Sequence, residues 1–352
     1  MTKNIRYRLR SLFFQFLSHV SDIDDSRQIA VSMFRGLLSN VPPLDYNISD
    51  CPDLPYPEVG KISSGEAQGE NRAVFITGRF RSGSTLLWNI FRNISGCTSY
   101  YEPLNERRWF DPAGRGSRVD STHLNVSDYW REYEGMSELG QYHRTDWTYR
   151  NLYMDAMFWA PEMKEYINIL IQKSSGIPVL QFNRVDFRLA WLKKNYPFAK
   201  IIHIFRHPRD QWCSSLRNPD AFSSEGTVRD FVAYDRFYLL PWARDLKYHF
   251  PFLNEKYISH PYRLFYFIWK LSYISASRYA DYSVCFENLG QKPEKEIPKL
   301  LDAAGIGNPD IAKLAALVKM PKPGKWKSYA DNDWFALHEH FCEKLLSDYF
   351  AG

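Results

Sequence analysis

From Arg72 onward, hydrophobic residues alternate between short solid runs and stretches with a helical repeat. Ala73-Val74-Phe75-Ile76-Thr77 is a β-rich run ending at Gly78, and after a polar turn the spacing predicts a helix over Thr85–Asn93. Thr98–Tyr101 reads as a second strand, stopped by Pro103. Residues 162–174 have helical spacing, Pro178–Asn183 reads as a buried strand and 187–195 as a helix. Lys200–Phe205 is a further strand, ending in the turn Arg206-His207-Pro208, and Tyr282–Phe286 is the last before C-terminal helices. Short strands that are apolar on both faces and separated by helices predict a parallel sheet covered on both sides, a three-layer α/β/α fold.

Two kinds of segment fall outside this rhythm. Residues 26–39 place Ile29, Met33, Phe34, Leu37 and Leu38 on one helical face, and 40–71 carry five prolines and three glycines among polar residues. The second stretch reads as a connector, which divides the chain into an N-terminal segment, 1–71, and a single domain, 72–352. Inside that domain, about 105–160 and 217–280 interrupt the alternation, and both are aromatic-rich. No internal repeat appears.

Composition sharpens this picture at one point. The 352 residues include 11 Trp, 23 Tyr and 24 Phe, 16% of the chain, which excludes a disordered or low-complexity protein. Lysines and arginines exceed acids by 45 − 40 = +5, too small an excess to predict a nucleic-acid partner. Cys51, Cys97, Cys213, Cys285 and Cys342 are widely spaced and form no CxxC pair, against a disulfide scaffold and for a reducing compartment. No apolar run nears the roughly 20 residues that span a bilayer. Lys3, Arg6, Arg8 and Arg10 before Leu12–Leu17 read as a basic amphipathic helix, with weak membrane-surface contact as the alternative. The N-x-S sequons at Asn47, Asn93 and Asn125 are read as chance.

The richest segment is Thr77-Gly78-Arg79-Phe80-Arg81-Ser82-Gly83-Ser84-Thr85. A strand runs into a Gly-bounded loop and the loop into a helix, which aims backbone N–H groups and a helix dipole at one point: a P-loop-type anion site. Ser84 stands where the nucleotide-hydrolysing version carries lysine, while Arg81 adds a guanidinium suited to phosphate oxygens. After Lys200–Phe205 comes Arg206-His207-Pro208-Arg209-Asp210-Gln211-Trp212-Cys213-Ser214. Its arginine leaves a strand at the edge where parallel sheets bind ligands, and with the loop it predicts two anion sites on one nucleotide.

These two motifs resemble those of sulfotransferases that use 3′-phosphoadenylyl sulfate (PAPS). Arg81-Ser82-Gly83-Ser84-Thr85 matches the loop that holds the 5′-phosphosulfate, and Arg206 with Ser214, eight residues on, matches the pair that holds the 3′-phosphate. The resemblance implies PAPS as co-substrate, with Arg79 through Thr85, Arg206 and Ser214 binding it and no metal required. Tyr100-Tyr101-Glu102-Pro103-Leu104 is similar to the carbohydrate branch, where the glutamate is the candidate base; the other reading of Glu102 is a structural partner for an arginine. His123 competes for the base role, because small-molecule relatives use histidine. Asn183-Arg184 resembles an Asn-Lys pair placed against the bridging oxygen and leaving phosphate, the alternative being an ion pair. Gly324-Lys325-Trp326-Lys327 resembles a stretch that closes over the 3′-phosphate and adenine. Phe286-Glu287-Asn288-Leu289 resembles a structural strand end.

The expectation is therefore sulfuryl transfer from PAPS to an acceptor hydroxyl on a saccharide. Small hydroxylated metabolites, lipids or a protein tyrosine are the alternatives, with a nucleotide kinase or a non-catalytic nucleotide binder as readings from a different class. The aromatic interruptions are expected on the acceptor side, where flat rings suit sugar faces, although much of 227–273 has the spacing of a core stripe. His338-Glu339-His340 and His203/His207 offer no believable metal site. The absence of an anchor predicts a cytoplasmic, bacterial enzyme.

Overall fold

The computed structural model describes residues 72–115, 126–216, 221–307, 309–321 and 323–351. The basic N-terminal segment, the helix over 26–39, the connector, Cys51, His123 and the sequons at Asn47 and Asn125 lie outside the described residues.

Five strands form a parallel sheet in the order β2-β3-β1-β4-β5. They are β1 (Ala73–Thr77), β2 (Cys97–Tyr101), β3 (Ile177–Phe182), β4 (Ala199–Phe205) and β5 (Tyr282–Cys285). All of β1 is buried, with Phe75 opposite Leu180 on one side and Ile201 on the other. Solid apolar runs thus occupy strands covered on both faces. The last strand stops one residue short of expectation, because Phe286 opens a helix.

The helices are α1 (Ser84–Arg92), α2 (Pro161–Gln172), α3 (Leu189–Asn195), α4 (Pro208–Ser215), α5 (Val228–Phe231), α6 (Leu239–Leu246), α7 (Pro261–Tyr279), α8 (Phe286–Gln291), α9 (Pro293–Ala303), α10 (Ile311–Ala315) and α11 (Asn332–Ala351). Proline opens α2, α4, α7 and α9, where its fixed φ suits the first turn and its missing N–H has no intrahelical acceptor to lose. Asn93 caps the C-terminus of α1.

Strand alternation divides the core. Val74 and Ile76 pack with Leu87, Ile90 and α9, while Phe75 packs with Leu180, Ile201, Trp191 and Tyr196. A further cluster joins α4, α6, α7 and α11 through Trp212, Trp242, Tyr262, Trp269 and Phe335.

Part of the aromatic surplus in the interrupting segments goes into this packing. Tyr129, Tyr133, Tyr153, Trp242, Tyr266 and Tyr273 are buried, while Trp130, Tyr142, Trp147, Phe158 and Trp159 are only partly so. Tyr133 of the first interruption and Tyr166 of α2 use their hydroxyls to hold the backbone after β2, donating to the carbonyls of Tyr101 (2.9 Å) and Pro103 (2.6 Å). Arg188, fully buried, donates to the carbonyls of Trp147, Arg150, Asn151 and Arg184, which pins the first interruption to the segment after β3. Among the described residues, no helix is long and apolar enough to cross a membrane.

Candidate active site

The loop after β1 and the turn after β4 emerge side by side at the carboxyl ends of neighbouring strands, where the connections leave in opposite directions. Such a switch point is the usual ligand crevice of an open parallel sheet. Gly78 leaves β1 so close to β4 that a Cβ there would lie 2.6 Å from the Ile204 carbonyl oxygen. Gly83 has φ 101° at the N-cap of α1, and a Cβ would meet the Phe286 ring at 2.2 Å. Arg81 also adopts a left-handed backbone, φ 68°. Between the glycines the loop closes on itself through Ser82 N–H to the Arg79 carbonyl, 3.1 Å. The first turn of α1 carries no acidic residue, so its N–H groups and dipole present unopposed positive potential.

The second motif meets the first directly. Arg81 Nε donates to Ser214 Oγ at 3.1 Å, and Arg206 Nη1 donates to the Arg81 carbonyl at 3.3 Å. Arg206 is buried over the Phe286 ring, 4.9 Å from its centroid, and 3.9 Å from Glu287 Oε1. Its Nε is buried with no hydrogen-bond partner, as is the hydroxyl of Ser82. Burial lowers the Arg206 pKa, against the opposing pull of Glu287 and Asp210. Its charge would gain from an anion. His207 caps α4 by accepting the Arg209 N–H on Nδ1 at 3.2 Å, and burial pushes its pKa down to about 3, so the ring is neutral.

A third group lies at the ends of β2 and β3. Glu102 is left-handed, φ 39°, a conformation rare for glutamate and held here by Tyr133 and Tyr166. Its Oε1 accepts from Asn183 Nδ2, and its Oε2 accepts from Asn105 Nδ2 and, at 3.0 Å, from Arg184 Nη1. Asn183 Oδ1 in turn accepts from Ser84 Oγ at 2.7 Å, which ties the carboxylate to the first residue of α1. Arg184 Nη2 donates to Glu106 Oε2 at 2.9 Å, and the Tyr238 hydroxyl donates to Glu106 Oε1 at 2.6 Å. The Arg184 guanidinium lies 5.1 Å from the Phe80 ring centroid, so this network borders the loop. Glu102 and Arg184 thus form an ion pair, a contact that either reading of the two residues allows.

Residues 73–310 match the family profile described as "Sulfotransferase family". The chain belongs to the sulfotransferase family.

Solved structures similar to this sulfotransferase include the mouse sulfotransferase SULT7A1 complexed with PAP, at 13% identity and TM-score 0.40, covering 80% of this chain and 84% of that one. Sulfotransferase STF1 of Mycobacterium tuberculosis matches at 18% identity and TM-score 0.42, covering 80% and 77%. The sulfotransferase domain of the Synechococcus PCC 7002 olefin synthase matches at 18% identity and TM-score 0.34, covering 77% and 94%. No curated protein matches the sequence.

Other expected site residues of the sulfotransferase take different positions. Arg79 is buried against the Trp242 ring, 4.1 Å from its centroid, with Nη1 4.0 Å from Asp186 Oδ2; burial lowers its pKa to about 10, against the attraction of Asp186 and Asp235. It supports the loop from behind. Phe80 packs among Phe237, Tyr238 and Trp242, and its carbonyl accepts from Gln211 Nε2 at 2.8 Å. Thr85 Oγ1 lies 3.3 Å from the Tyr101 hydroxyl. Trp326 is only 8% exposed, and its ring packs on Arg209 and Phe335. Lys325 and Lys327 are exposed on either side of it, and the Gly324 N–H donates to Asp210 Oδ2 at 3.0 Å, which holds this stretch beside α4. Among the described residues, no group of His, Cys, Asp and Glu could hold a metal ion.

Sequence reasoning missed Glu106, Asn105 and Tyr238. Only the proximity of Glu106 to Glu102 signalled it, and Tyr238 comes from 132 residues away.

Proposed function

We propose that this sulfotransferase transfers the sulfuryl group of PAPS to a hydroxyl of a saccharide or similar polyol, with Glu102 accepting the hydroxyl proton. The observation that carries this reading is the direct junction of the two anion motifs through Arg81, Ser214 and Arg206. The buried Arg206 Nε and Ser82 Oγ, which make no hydrogen bond beside the N-terminus of α1, are donors that fit two phosphate groups of one nucleotide. PAPS supplies the sulfuryl group: its bond from sulfur to phosphate oxygen breaks as the bond to the acceptor oxygen forms.

The chain's part is then positioning and electrostatics. The loop N–H groups and Arg81 offset charge on the 5′-phosphate as it departs, and Arg206 with Ser214 selects a nucleotide that carries a 3′-phosphate. Asn183, Asn105 and Arg184 fix the Glu102 carboxylate, and the link from Asn183 to Ser84 registers it against the loop. A general base needs this fixed reach more than mobility. Lys325 and Lys327 add positive charge near α4.

Labelled-sulfate transfer from PAPS across sugar and phenol acceptors tests the reading. Glu102→Gln is expected to bind adenosine 3′,5′-bisphosphate as the wild type does and to lose turnover by a factor of about 10²–10⁴. Retained turnover moves the base elsewhere.

A further inference from the structure

Glu102 and Glu106 share one guanidinium, each accepting from a different terminal nitrogen of Arg184. Their surroundings differ. The Glu102 side chain is 8% exposed and takes donors from three residues, while the Glu106 side chain is 35% exposed. The turn from Glu102 to Asn105, closed by Asn105 N–H to the Glu102 carbonyl at 2.9 Å, brings the second carboxylate to the same guanidinium as the first.

Tyr238 reaches Glu106 from the second interruption. The Asp235 carboxylate accepts the N–H groups of Phe237, Leu239 and Leu240, a turn that leaves Tyr238 at φ 60°. That turn sets Phe237 5.8 Å from the Arg81 guanidinium and Tyr238 6.2 Å from Phe80, so the phenol stands beside the loop. Burial alone would raise the Glu106 carboxyl, but the Arg184 charge and the Tyr238 hydroxyl outweigh it and hold it below the usual range. A carboxylate and a phenol, both partly exposed, therefore lie one guanidinium away from Glu102. Arg184 adds a buried Nε with no hydrogen-bond partner.

We infer that Glu106 and Tyr238 bind a second hydroxyl of the acceptor, adjacent to the one that receives the sulfuryl group. This rests on the transfer reaction proposed above and narrows its acceptor to an uncharged polyol with neighbouring hydroxyls. Glu106 takes a hydrogen bond from the second hydroxyl, and the Tyr238 oxygen, released from Glu106 or shared with it, gives or takes another. A carboxylate or phosphate at that position of the acceptor would meet Glu106 as a like charge. A lone hydroxyl would forgo these bonds, and a site that hydrogen-bonds a substrate hydroxyl discriminates against the analogue that lacks it.

The test compares 1,2-cyclohexanediol and methyl glucoside with cyclohexanol as acceptors, for wild type, Glu106→Gln, Glu106→Asp and Tyr238→Phe, with bisphosphate calorimetry and thermal midpoints beside the kinetics. In the wild type, KM for the diols is expected at least about tenfold below KM for cyclohexanol. Glu106→Gln closes that gap and Glu106→Asp restores part of it, with bisphosphate affinity within about twofold in each. Tyr238→Phe narrows the gap at an unchanged midpoint. Equal KM values in the wild type, transfer to none of the three alcohols, or a Glu106→Gln variant that keeps the full gap overturns the inference while leaving bisphosphate binding as it was. A wild-type chain that fails to bind the bisphosphate overturns the donor reading itself, and this inference with it.

Discussion

Gly83→Ala probes the geometry on which both anion motifs depend. At φ 101° an L-residue is strained, by about 1–2 kcal/mol on the scale of left-handed backbone. The new Cβ would also fall 2.2 and 2.5 Å from two ring carbons of Phe286, so the ring must move or the loop must open. Overpacking of this kind costs a further 1–3 kcal/mol or so. The expected loss is about 2–5 kcal/mol in urea unfolding. Because Arg206 lies on the same ring, a displaced Phe286 also weakens the second anion site. Gly83→Ala is therefore expected to lose affinity for the 3′,5′-bisphosphate as well as stability. Adding Phe286→Leu separates the two costs: the double variant should recover about 1–3 kcal/mol relative to the sum of the singles, the overpacking part alone. A single variant within about 0.5 kcal/mol of wild type that binds the bisphosphate normally would refute the reasoning.

Two further predictions concern the frame that carries Ser214 and His207. Arg209 donates through Nε and Nη2 to both oxygens of Glu339 at 2.8 and 2.7 Å, in a pair almost wholly buried. Glu339→Ala strands that guanidinium and should cost about 3–5 kcal/mol in urea unfolding; less than about 1 kcal/mol would mean the pair is not what holds α11 to α4. Burial lowers the pKa of His203 and of His207 from an ordinary 6.5 to about 3, with Arg209 and Arg206 adding to the effect at His207. The unfolded chain takes up these protons first, so their contribution is whole above pH 6.5 and is lost as pH falls toward 3, by about 1.4 kcal/mol per unit for each ring. Unfolding free energies measured from pH 7.5 to 4.5 should show that slope, and His207→Asn, which keeps a capping side chain, should reduce it; an unchanged slope would contradict the assignment to His207.

How much of this was legible in the sequence depends on the range of the interactions. The five strands were, because runs buried on both faces, such as residues 73–76, are dominated by apolar residues. The loop was legible because Gly78 and Gly83 mark local backbone demands that a single residue type meets. The pairing of Arg184 with Glu102 spans 82 residues and that of Tyr238 with Glu106 spans 132, and no local pattern carries such information. The roles of single rings in the aromatic interruptions were hidden for a related reason. A tyrosine that faces a sugar and one that holds a carbonyl, as Tyr133 holds that of Tyr101, look identical in one dimension. Phe286, read as an unremarkable strand end, proved to lie beneath both Gly83 and Arg206.

The central claim is that the loop after β1 and Arg206 form one site for a nucleotide bearing both a 5′- and a 3′-phosphate. Calorimetry with adenosine 3′,5′-bisphosphate and with ATP, on the wild type and on Arg206→Ala, tests it most directly. A charge-assisted contact is worth about 1.5–3 kcal/mol, so the variant should bind the bisphosphate some 10- to 150-fold more weakly and the wild type should prefer it to ATP. Equal affinity of the wild type for both nucleotides, unchanged in Arg206→Ala, would contradict the account.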